Sequence, residues 1–91
     1  TMLQGFERAN SQSIDPAMAY VQWGVEQADG GDIEGSMEKF RQAVSLSPSR
    51  PEGYTNWGVA LAKLGQIDEA IDKFREAVER APHHATNYML L

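Results

Sequence analysis

Tyr54-x2-Trp57-Gly58-x2-Leu61, followed by Ala70-x3-Phe74-x2-Ala77 and a closing Pro82, is the stretch on which the fold turns. Tyr54, Trp57, Gly58, Leu61 and Leu64 share one face of a 3.6-residue helix, and Ile67, Ala70, Ile71, Phe74, Ala77, Val78 and Ala81 share one face of a second. Gly58 and Ala70 are small beside large neighbours, which lets two helix axes approach while Trp57 and Phe74 fill the space around the contact. Gly65 follows Leu64, where a left-handed residue can end a helix without a Cβ clash. Asp68 and Glu69 put negative charge at the positive end of the second helix dipole, and Pro82 stops that helix.

Shifted back by 34 residues, the framework reappears as Tyr20, Trp23, Gly24, Phe40, Ala43 and Pro48. Val25/Val59, Ala28/Ala62, Gly31/Gly65, Ile33/Ile67, Lys39/Lys73, Arg41/Arg75 and Val44/Val78 coincide as well. Self-similarity at a fixed period of this size marks an array of helical units, each burying its apolar face against the next. The chain resembles the tetratricopeptide repeat family: aromatic-x2-Leu-Gly-x2-Tyr, Ala-x3-Phe and a closing Pro are met at Tyr54, Gly58, Ala70, Phe74, Ala77 and Pro82. Trp57 and Leu61 replace the usual Leu and Tyr, and Gln27 and Ser36 are departures in the upstream copy. The resemblance implies an all-α solenoid of about two and a half helix-turn-helix repeats forming a right-handed superhelix segment.

Taken in order, residues 1–16 read as the second helix of a truncated preceding repeat, with Met2, Phe6 and Ala9 in register. Residues 17–50 and 51–84 are the two repeats, and 85–91 start a truncated third, Tyr88 aligning with Tyr54 and Leu91 with Trp57. The expected helices are 2–12, 16–29, 32–46, 51–64, 67–80 and 85–91. Asp15-Pro16 suits a helix start, Asp as cap and Pro at the first position. Gly35 and Ser36 weaken the second helix of the upstream copy. The terminal helices, patterned for partners that the segment lacks, suggest homo-oligomers formed by end-to-end stacking or helix exchange.

Ninety-one residues with a net charge of −5 bound the function. That acidity argues against nucleic acid and anionic membrane surfaces, which select Lys/Arg clusters. No apolar run is long enough for membrane insertion. The absence of cysteine excludes a disulfide framework and a thiolate zinc site, and fits a reducing, cytoplasmic setting. No catalytic constellation or cofactor motif is present, so no enzyme activity is expected; His83 and His84, adjacent in a connector, make a poor chelate. The carboxylates Asp32, Glu34, Glu38, Asp68, Glu69, Asp72, Glu76 and Glu79 interleave with Lys39, Arg41, Lys73, Arg75 and Arg80 as a solvated outer face, with pairs such as Glu69–Lys73.

The first helices carry more apolar surface than one packing face needs. Val21, Val25 and Ala28, repeated as Thr55, Val59 and Ala62, form a second stripe about 120° around the helix. Part of it must pack on the adjacent first helix. In the family that the chain resembles, the remainder lines an inner curve where partner peptides bind. The resemblance therefore implies a protein-interaction scaffold whose groove is Met18, Val21, Gln22, Val25, Asp29, Glu52, Thr55, Asn56, Val59, Lys63 and Met89. A spacer or self-assembling segment, or a targeting domain attached to an enzyme, are the alternative readings. The carboxylate clamp of chaperone-binding relatives is matched at Asn56 alone: Val21 and Val25 stand for its first Lys and Asn, and Thr86 and Leu90 for its basic pair. A chaperone tail is therefore not the expected ligand.

Overall fold

A computed structural model describes residues 15–81. Four helices follow one another, α1 (Pro16–Asp29), α2 (Ile33–Leu46), α3 (Glu52–Lys63) and α4 (Ile67–Arg80), and there is no strand among the described residues. Each helix packs on its neighbour in sequence; α1 and α3 also touch, whereas α2 and α4 do not. That one-sided contact is the geometry of an α-solenoid, with first helices lining one wall and second helices the other. The helices expected over 2–12 and 85–91, and the self-association argued from them, lie outside the described residues.

The helix ends follow from local chemistry. Asp15 caps α1, its Oδ1 accepting the Ala17 N–H at 2.9 Å, and Pro16 takes the first helical position. Asp32 accepts the Gly35 N–H at 2.8 Å, which makes it the cap of α2 rather than a helical residue. Both first helices close with the same double bond. Asp32 N–H reaches Gln27 O at 2.8 Å and Gly31 N–H reaches Ala28 O at 3.0 Å; Gln66 and Gly65 repeat this on Leu61 and Ala62 at 2.9 and 3.0 Å. The motif needs a left-handed residue, and Gly31 (φ 99°) and Gly65 (φ 83°) supply it.

Within each repeat a glycine faces a phenylalanine. A Cβ on Gly24 would stand 2.5 Å from Phe40 Cε1, and one on Gly58 2.6 Å from Phe74 Cε1. Phe40 is 2 % exposed and is the largest fully buried side chain among the described residues. Ser36 takes the place of Ala70; its hydroxyl, fully buried, donates to Ile33 O and leaves no polar atom unpaired. Between the repeats Gly53 lets α3 approach α2, because a Cβ there would lie 2.9 Å from Val44 Cγ2.

Three expectations are corrected. Trp57 is only half-buried and Trp23 is 52 % exposed, so the indoles flank the core instead of filling it. Their faces are covered by lysines: Lys39 Nζ lies 4.3 Å from the Trp23 ring centre and Lys73 Nζ 4.1 Å from that of Trp57. The cation–π contact takes the place of the expected Glu69–Lys73 pair and clasps the first helix of each repeat to the second. Ile67, Ile71 and Val78, assigned to the buried face, are exposed. Their counterparts Ile33, Met37 and Val44 are half-buried because α3 lies on α2, while no described helix lies on that face of α4.

Two arginines fix the connector between the repeats. Arg80 Nε donates to Pro48 O at 2.7 Å while its guanidinium lies 4.6 Å from the Tyr54 ring centre. Arg50 bonds Asp15 at 2.6 Å and Glu52 at 3.3 Å, joining the N-terminal ends of α1 and α3. Partly exposed pairs of this kind contribute at most about 1 kcal/mol, so their role is to set the position of the two helices.

Candidate functional site

The candidate site lies between the two first helices. Residues 34 apart hold equivalent places in successive repeats, so Val25 of α1 stands beside Val59 of α3, and Asp29 beside Lys63. Val25, Ala28 and Asp29 from α1, and Asn56, Val59, Ala60 and Lys63 from α3, line one depression of about 60 Å³. Phe40 of α2 closes it from below. Val25 is 36 % and Val59 41 % exposed, a high value for β-branched side chains that α1 and α3 could have turned toward each other.

The depression is apolar at the centre and polar at its edge. Asn56 Nδ2 donates to Glu52 O at 2.9 Å, which commits one of its two amide hydrogens and leaves the other and Oδ1 for a ligand. Among the described residues neither Asp29 nor Lys63 is held in an ion pair. Both are the last residues of their helices, so their charges stand at the same end of the depression. Among the described residues no group of three or more His, Cys, Asp or Glu side chains could hold a metal ion, and no helix is long and apolar enough to cross a membrane.

Of the residues expected to line the groove, Val25, Asp29, Asn56, Val59 and Lys63 come together here. Val21 does not: it is 6 % exposed, in a buried cluster with Ala17 one turn before it and Ala43 of α2, so it is core rather than contact surface. Met18 is half-buried against that cluster. Gln22 is exposed outside the depression, and Thr55, also exposed, turns its hydroxyl back to Pro51 O at 3.1 Å. Glu52 is engaged by Arg50. Met89 lies outside the described residues. The floor of the depression, Phe40 and Ala60, was missed. A face-by-face reading of each helix assigns Phe40 to the contact within its own repeat and gives no sign that its ring also underlies the neighbouring one. Ala28 was visible in the second stripe, following Val21 and Val25.

Two family models match the chain, one described as a tetratricopeptide repeat over residues 51–84 and one as a TPR repeat over residues 26–65. Among solved structures, a crystal structure of MamA is 27% identical with a TM-score of 0.71, over 77% of this chain and 41% of that one. A second crystal structure of the MamA protein is 27% identical with a TM-score of 0.68, over 77% of this chain and 38% of that one. The chain thus spans about two fifths of the length of the MamA chains it matches. No curated protein is significantly similar to it in sequence.

Proposed function

The chain belongs to the tetratricopeptide repeat family, and on that premise we propose that it is a protein-interaction module that takes a segment of a partner protein in the groove between α1 and α3. Repeats of this family generally serve as interaction scaffolds rather than catalysts, and the likeness to MamA supports the scaffold reading. The single observation that carries the groove assignment is the pair Val25 and Val59, presented side by side at the surface over Phe40. Exposed aliphatic pairs at the mouth of an apolar depression lose water on contact with a ligand, at about 25 cal/mol per Å² buried. The ligand is not a chaperone tail: the clamp's first Lys position is Val21, which is buried, and its first Asn position is Val25.

Val25→Asp with Val59→Asp tests the assignment. Peptides selected from a display library on the protein should lose binding to the double variant by at least an order of magnitude, while circular dichroism keeps its helical signal. Undiminished binding to a folded double variant rules the groove out.

A further inference from the structure

The depression, about 60 Å³, is too small for a whole helix and is on the scale of one inserted side chain. Its walls are Val25 and Val59 and its floor the edge of Phe40, with no carboxylate or ammonium in the centre. Its aliphatic walls suit an aliphatic side chain.

The two charges at its end give the ligand a direction. Asp29 ends α1 and Lys63 ends α3, and neither is held in an ion pair among the described residues. Their settings differ. Lys63 stands at the C-terminal end of its helix, where the dipole already favours a cation. Asp29 stands at the corresponding end of its own helix, where the dipole disfavours an anion, and α1 has no basic residue in its last turn. A cation from outside therefore gains more at Asp29 than an anion gains at Lys63.

We propose that the groove selects an extended segment with one aliphatic anchor, a Lys or Arg on the α1 side and an Asp or Glu on the α3 side. This rests on the groove reading above and specifies its ligand. Packed helices lie about 8–10 Å apart, and an extended chain advances about 3.3 Å per residue with alternate side chains on one face, so charged residues about two positions to either side of the anchor share its face and reach the two helices. Asn56 supplies a primary amide to the segment's backbone. The outer charges set orientation and selectivity more than affinity.

The test is panning of a random 12-residue peptide display library on the protein, at low and at high salt, with clones measured by fluorescence polarisation. Selected peptides should share a Leu, Ile, Val or Met with a basic residue within two positions on one side and an acidic residue on the other. Replacing the basic residue by Ala should weaken binding about three- to tenfold, and replacing the acidic one less. The charge exchange Asp29→Lys with Lys63→Asp should favour peptides of reversed charge order over the original ones. Peptides that need Val25 and Val59 but carry an aromatic anchor, or show no charge order, overturn this inference and leave the groove reading standing. Peptides indifferent to Val25→Asp with Val59→Asp overturn both, as does a library with no enrichment.

Discussion

The ring of Phe74 occupies the space into which a side chain on Gly58 would grow, with Cε1 2.6 Å from the position of a Cβ, and Phe40 does the same to Gly24 at 2.5 Å. The two contacts are alike in distance and unlike in setting. Phe40 is 2 % exposed, whereas Phe74 is only half-buried. Alanine at either glycine gains about 1 kcal/mol of helix propensity and must displace a ring. Overpacking a closed core costs about 1–3 kcal/mol. Gly24→Ala should therefore destabilise by up to about 2 kcal/mol, and Gly58→Ala, whose ring has room to swing outward, by less than half of that. Urea unfolding of both variants measures the difference; equal losses would mean that the two repeats are packed alike.

Trp57 and Lys73 offer a second test. Because the indole is half-buried, Trp57→Ala should cost about 1–3 kcal/mol, below the roughly 3–5 kcal/mol of a fully buried Trp. Lys73→Gln should cost about 0.5–1 kcal/mol, and little further once Trp57 is Leu. A double-mutant cycle in urea reads that coupling; additive losses would show that the lysine contributes nothing through the ring.

Gln27 stands where the downstream repeat has Leu61, which is 5 % exposed. Its Nε2 donates to Asp32 at 3.2 Å, but its buried Oε1 has no hydrogen-bond partner among the described residues. A buried acceptor without a partner costs about 1–3 kcal/mol, against a long bond at an exposed carboxylate. Gln27→Leu should therefore stabilise the protein by about 1 kcal/mol, a rise of roughly 4–8 °C in melting temperature for a domain of this size. Asp32 keeps its bond to the Gly35 N–H, so the cap of α2 survives the change. A thermal melt that falls instead would show that the Gln27–Asp32 bond matters more than the orphaned oxygen.

Much of this architecture could be read from residue types because the repeat states it twice. Gly31 and Gly65 announced the two left-handed turns, and Asp15-Pro16 the start of α1. The glycine–phenylalanine contact was legible as size alternation, but not that the tryptophans would lie at the edge of the core under lysines. A helical pattern says which residues share a face; it does not say how far around the helix the neighbour reaches. The same limit explains the groove. Val25 and Val59 were visible as surplus apolar surface, Val21 belongs to that stripe by spacing yet turns inward on Ala43, and Phe40 enters the site from the other layer.

The groove is tested most directly by nuclear magnetic resonance. With valine and isoleucine methyls labelled, the protein is titrated with a peptide selected on it, and the shifts are compared between the groove and α4. The methyls of Val25 and Val59 should move first and furthest, with contacts between them and the peptide's aliphatic anchor, while those of Ile71 and Val78 stay in place. Shifts concentrated on Ile71 and Val78, with Val25 and Val59 unmoved, would contradict the account and transfer the binding surface to the exposed face of α4.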